Sequence, residues 1–146
     1  MKIKHLISER IDDFFVYLND HISDNGKNNT SLFLPISKED LNIPVELIDS
    51  FRDGQSVSIN KLGWRRVLIA VNKKNEIIGH IDLKSHNQNY TNHRAVMGMG
   101  VHREYRKEGL GSLLIESILV WVKNETRIER IDGNSHNYIM MTKKII

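Results

Sequence analysis

The chain has 146 residues, of which 27% are charged and 40% hydrophobic, the make-up of one globular domain with enough apolar material for its own core. It contains no cysteine, which excludes disulfides, thiolate metal sites and a cysteine nucleophile. Lys and Arg number 21 against 18 Asp and Glu, a formal charge of +3, and the basic residues are scattered rather than massed, so general nucleic-acid binding is not expected.

Taken in chain order, Ser8 is placed to cap a helix in which Ile11, Phe14, Phe15, Leu18 and Ile22 recur at helical spacing, and Asp24-Asn25-Gly26 supplies the turn formers that end it. Ser31-Leu32-Phe33-Leu34 reads as a short strand stopped by Pro35. Ser37 to Asp40 and then Asn42-Ile43-Pro44 carry helix-start chemistry, which predicts a second helix with Val45, Ile48 and Phe51 facing inward. The period then shortens: Val67 to Val71 and Ile77 to Leu83 flank a polar turn and read as a β-hairpin. A polar connection at 84–93 leads to a strand from Ala95 to Val101, whose Gly98 and Gly100 call for a bulge or a close approach of another group. Leu110, Leu113, Leu114, Ile118, Leu119, Trp121 and Val122 then form a broad helical stripe, and Ile128 and Ile131 begin a last strand. No run is long enough to span a bilayer, and the N-terminus lacks the apolar stretch of a signal peptide, so the chain reads as cytoplasmic and without a membrane partner.

The segment richest in chemistry is Arg106-Lys107-Glu108-Gly109-Leu110-Gly111-Ser112, set between a strand and a long apolar helix. Glycines there let successive N–H groups converge, and a helix N-terminus adds positive potential, a combination that holds pyrophosphate. A tight structural turn is the plainer alternative. The Lys-Ser/Thr ending of a P-loop is absent and the three-glycine dinucleotide fingerprint is not completed. His80, His86, His93 and His102 lack the spacing of metal ligands, and no Gly-x-Ser-x-Gly elbow exists, so neither a metal site nor a serine hydrolase is expected.

Val101-His102-Arg103-Glu104-Tyr105-Arg106-Lys107-Glu108-Gly109-Leu110-Gly111 resembles the acetyl-CoA-binding motif of the GNAT superfamily of N-acetyltransferases, and the similarity in element order runs from about Val67 to Lys123. The resemblance implies one α/β (α+β) domain over 1–146, with a mixed, mainly antiparallel sheet and flanking helices. Within it, 1–60 corresponds to a variable helical part, 61–126 to the acetyl-CoA-binding core and 127–146 to a shortened C-terminal part. It implies that Met99, Gly100 and Val101 present strand backbone to the pantetheine arm and acetyl group. Lys107, Glu108, Gly109, Leu110, Gly111 and Ser112, with Arg106 alongside, would surround the pyrophosphate.

The implied reaction is acetyl transfer from acetyl-CoA to a primary amine of a small molecule or polypeptide by direct attack; a weakly active acyl-CoA-binding remnant is the alternative. For the acid–base work, Asp132 loosely matches the family's later region and is the candidate base. His80 and Asp82 share one face of their strand and form a second candidate pair, although an exposed polar stripe would look the same. No Gly-Phe turn follows Lys144, so the family's last strands are expected to be lacking and the fifth strand to be left with a bare edge, for which a second copy of the chain is the candidate cover.

Overall fold

The computed structural model describes residues 1–24, 43–86, 93–133 and 142–144. The strand expected at 31–34, the helix start at 37–42 and positions 87–92 of the polar connection lie outside the described residues, as does the side chain of Ile22.

Among the described residues six strands, β1 (Lys2–His5), β2 (Arg65–Val71), β3 (Ile77–Ser85), β4 (Arg94–Val101), β5 (Arg130–Gly133) and β6 (Thr142–Lys144), lie side by side in chain order. Every neighbouring pair is antiparallel except β4 and β5, which run parallel. A parallel pair needs a crossover, and helix α3 (Leu110–Glu125) supplies it. Two further helices, α1 (Ile11–Asp24) and α2 (Val45–Asp53), precede β2.

Alternation along the strands sorts the core into two layers. Leu68 and Ala70 of β2, Ile81 and Leu83 of β3, Ala95 of β4 and Ile131 of β5 pack in one cluster with Leu110, Leu114, Ile118 and Val122 of α3. Val67, Ile69 and Val71 pack on the other side with Phe14, Tyr17 and Leu18 of α1 and Phe51 of α2. The helical stripes are narrower than expected: Leu113 is 39% exposed and Val45 66%, because a helix lying on a sheet buries little more than one row of side chains.

Several boundaries move for identifiable reasons. Strand β2 starts two residues before its apolar run because both arginines find internal partners. The Arg65 guanidinium lies 4.0 Å from the centre of the Phe51 ring, while Arg66 donates to the carbonyls of Gly54 and Val57. Ser8 does not cap α1; it opens a single 3-10 turn, Ser8–Arg10, that leads into the helix. Strand β1 was not foreseen, since Ile3 alone is apolar among Lys2, Lys4 and His5, yet it pairs with β2 along its whole length. The edge of β5 is not bare: Arg130, Ile131 and Asp132 pair antiparallel with Lys144, Lys143 and Thr142. Among the described residues, no helix is long and apolar enough to cross a membrane.

Candidate active site

The direction of the backbone groups on β4 follows from one hydrogen bond. His102 N–H meets the Ile78 carbonyl at 2.8 Å, so alternate residues Gly100 and Gly98 also point their polar groups toward β3, opposite His80 and Asp82. Met99 and Val101 therefore turn theirs to the far side. On that side Glu129 N–H meets the His93 carbonyl at 2.8 Å, and the ladder to β5 covers Arg94 to Met97. The N–H groups of Met99 and Val101 thus point away from β3, beyond the described part of that ladder, and the Val101 carbonyl accepts the Arg106 Nε at 3.0 Å. This corrects the expected role of Gly100, whose backbone faces β3. No bulge interrupts the β3–β4 register from Gly79 to Ser85.

Gly98 and Gly100 are nevertheless required. A Cβ on Gly98 would lie 2.8 Å from Asp82 Oδ1, and one on Gly100 would lie 2.6 Å from His21 Nε2 and 2.9 Å from His80 Cε1. Side chains from the neighbouring strand and from α1 lie directly over the two glycines.

The loop after β4 leads to the start of α3. Lys107 and Gly109 have positive φ, 70° and 80°, the backbone that turns consecutive N–H groups toward a common point. Gly109 stands at the N-cap and offers no side-chain cap. The first bond back into it comes from Leu113 N–H at 3.1 Å, so the N–H groups of Leu110, Gly111 and Ser112 point out of the helix end as anion donors. A Cβ on Gly111 would lie 3.6 Å from Met99 Cε, whereas one on Gly109 would meet nothing within 4 Å. The helix end and the β4 donors are therefore neighbours, with Lys107, Glu108, Gly109 and Ser112 at the surface, Arg106 half-buried and Leu110 in the core. A cavity of about 690 Å³ opens on the opposite flank of this loop, toward the β2–β3 turn, and is lined by Asn72, Lys74, Tyr105, Glu108 and Leu110 among others.

His80 and Asp82 are not an exposed stripe. They are 2% and 4% exposed, beneath α1 and α2. Tyr17 Oη lies 3.1 Å from the Gly100 carbonyl and 2.9 Å from His80 Nδ1. A carbonyl only accepts, so the single phenolic hydrogen goes to Gly100 and His80 supplies Nδ1–H to the phenol oxygen. Burial pushes the His80 imidazole down to about 3, aided by the charge of Arg65, and holds Tyr17 well above its usual range. Both are neutral at physiological pH. Burial also raises Asp82, against the opposing pull of Arg65 and Lys84. The Arg65 Nε stands 3.2 Å from Asp82 Oδ2, and His80 Nε2 is 3.8 Å from Oδ1, too far for a hydrogen bond. His21 stacks on Tyr17 with ring centres 6.0 Å apart.

Asp132 lies elsewhere. It stands opposite Val96, whereas His80 stands opposite Gly100, four positions or roughly 13 Å farther along β4. Both its oxygens are committed: Arg94 holds Oδ1 at 2.6 Å and Oδ2 at 3.0 Å, and His86 Nε2 lies 2.7 Å from Oδ2. That clamp ties β5 to the first residue of β4 and to the end of β3, and it stands against the base role expected of Asp132. Tyr17 and His21 were not anticipated from sequence, although polar residues three and seven positions after Phe14, on a buried helical row, were a readable signal.

Among curated proteins no sequence is significantly similar. Solved structures are similar in fold at low identity. The chain matches an acetyltransferase of the GNAT family from Streptococcus pneumoniae with a TM-score of 0.71 and 18% identity, over 90% of this chain and 72% of that one. A ribosomal-protein-alanine N-acetyltransferase from Brucella melitensis gives 0.67 and 16% over 91% and 73%. A phosphinothricin acetyltransferase from Sinorhizobium meliloti, solved in complex with AcCoA, gives 0.61 and 10% over 90% and 64%. The sequence profile of the acetyltransferase (GNAT) family matches residues 38–139, well over half of the chain, which therefore belongs to that family.

Proposed function

We propose that the chain is an N-acetyltransferase that moves the acetyl group of acetyl-CoA to a primary amine by direct attack. The observation that carries this reading is the pair of N–H groups on Met99 and Val101 directed away from β3, beyond the described part of the β5 ladder and beside a helix terminus with no side-chain cap. Acetyl-CoA supplies an activated thioester and an anionic pyrophosphate. The exposed N–H groups of Leu110, Gly111 and Ser112, with Lys107 and Arg106 nearby, suit the anion. Met99 and Val101 suit the acetyl carbonyl, whose oxygen gains charge as the amine adds. A preorganised backbone donor aimed at such an oxygen is worth about 3–4 kcal/mol of barrier. In the transfer a C–N bond forms, the C–S bond breaks, CoA leaves as thiolate and the amine gives up one proton.

Proton removal is assigned to solvent. Asp132 is held by Arg94 and His86, Asp82 by Arg65, and a His80 titrating at about 3 is too weak a base to drive the step. The acceptor is an amine of a small molecule or of a polypeptide, the classes represented in the names of the Sinorhizobium and Brucella neighbours.

The test is a thermal-shift titration with acetyl-CoA followed by CoA-thiol release against a panel of amines. At about 100 times Kd the linkage term is about 2.7 kcal/mol, or roughly 5–10 °C for a chain of this size. A flat titration up to millimolar acetyl-CoA refutes the cofactor site. A shift without thiol release for any amine reduces the reading to acyl-CoA binding.

A further inference from the structure

We propose that Tyr17 is a positioning residue for acetyl transfer: its hydroxyl polarises the peptide unit that carries the Val101 N–H. The inference rests on the acetyl-transfer reading and deepens it. The Gly100 carbonyl and the Val101 N–H are the two ends of one trans peptide. The carbonyl points toward β3 and the N–H to the opposite edge of β4, beyond the described part of the β5 ladder. Tyr17, 7% exposed on α1, donates to that carbonyl at 3.1 Å. Donation to one end of an amide draws electron density from the other and strengthens its N–H as a donor, and the effect grows in a low-dielectric interior.

His80 completes the device. Its Nδ1–H donates to the Tyr17 oxygen at 2.9 Å, which leaves the phenolic hydrogen only the Gly100 carbonyl as its target. The relay therefore runs from His80 to Tyr17, to the Gly100 carbonyl, and out through Val101 N–H to the acetyl oxygen. None of these groups touches the reacting atoms except the last. The absence of a side chain at Gly100 is what lets the His80 and His21 rings lie against the strand.

A backbone donor to a developing oxyanion is commonly worth about 10²–10³ in rate, and polarisation by a neighbouring bond changes a hydrogen bond by about 10–30%. That fraction of the donor's free energy is about 1.6- to eightfold in kcat. Tyr17→Phe strips His80 Nδ1–H of its acceptor and lowers stability, so the series that keeps the fold is Tyr17 replaced by 3-fluorotyrosine and 3,5-difluorotyrosine, which donate more strongly as fluorine acidifies the phenol. Two quantities are read: the ¹⁵N shift of the Val101 amide in the unliganded protein, and kcat with KM for acetyl-CoA. Across the series the Val101 ¹⁵N signal is expected to move steadily downfield and kcat to rise, with KM constant within about twofold. His80→Asn, whose side-chain amide can donate from the Nδ1 position, is expected to retain the Val101 shift, and His80→Leu to lose it. An unresponsive Val101 signal, or a kcat indifferent to fluorination in a protein that transfers acetyl, overturns the proposal. A responsive Val101 in a protein that transfers acetyl to no amine overturns the acetyl-transfer reading instead, and the catalytic half of this one with it.

Discussion

Alanine at Gly100 and alanine at Gly109 should have opposite consequences, and the magnitudes follow from what each new methyl would meet. At Gly100 the Cβ falls 2.6 Å from His21 Nε2, 2.8 Å from His21 Cε1 and 2.9 Å from His80 Cε1. Those distances are inside van der Waals contact, and the rings are wedged beneath α1. Overpacking of this kind costs about 1–3 kcal/mol. If His80 is displaced, its hydrogen bond to Tyr17 goes with it, and a buried polar group left unsatisfied costs about 1–3 kcal/mol more. Together these amount to about 2–6 kcal/mol, a large share of the stability of a domain this size. At Gly109 the methyl meets nothing within 4 Å, and only the φ of +80° opposes it, a cost of about 1–2 kcal/mol. Urea unfolding followed by far-UV circular dichroism gives both numbers. The midpoint of Gly100→Ala should fall well below that of Gly109→Ala with unchanged slope. Equal midpoints, or the reverse order, would show that the rings over Gly100 are free to move aside and that the buried network is not rigid.

Other outcomes follow from the same contacts. Gly109→Ala should weaken acetyl-CoA binding more than it lowers stability, since its methyl projects into the open space before the helix end; unchanged affinity by calorimetry would place the pyrophosphate elsewhere. Asp132→Asn removes the charge that holds Arg94 and His86, so it should lower the melting temperature, and any loss of rate should be the same at every pH; a loss that shrinks at high pH would restore Asp132 as the base. His80 binds a proton at pH 6.5 when exposed but only near 3 when folded, so the unfolded chain takes up more protons between those values and stability falls as pH drops. By pH 5 the loss is on the order of 2 kcal/mol, partly offset by Asp82, whose raised value works in the opposite direction. Stability curves of parent and His80→Asn that stay parallel from pH 8 to 5 would contradict it.

The sheet was legible where burial is continuous. The apolar runs of β2 and β3 announce strands covered on both faces, and the stripe of α3 announces the helix that covers one of them. Strand β1 escaped because four residues with one apolar side chain carry no period, and its pairing is a tertiary choice made by the exposed edge of β2. The loop from Arg106 to Ser112 could be read as an anion cradle because glycine at a positive φ and a helix start are local properties. The network around Tyr17 could not, because it joins residues 17, 80 and 100, which only the fold brings together. Asp132 misled for the same reason: a lone carboxylate in a short strand says nothing about the arginine 38 positions earlier that neutralises it.

The order of the strands bears on how the domain assembles and comes apart. The pairs β2–β3 and β3–β4 join neighbours in sequence, whereas β1 reaches β2 only by placing Lys2 opposite Val71. Closing so long a loop is entropically late, so the central meander should form first and the N-terminal segment dock onto it. Tyr17 travels with that segment. An opening of β1 and α1 alone would leave the three central strands and α3 standing but would remove the hydroxyl from the Gly100 carbonyl. In amide exchange the β3 protons should outlast those of α1, and acetyl-CoA should slow the exchange of β4 and α3 more than that of β1. The last part of the chain to settle would then be the part that tunes the donor, while the donor itself belongs to the first.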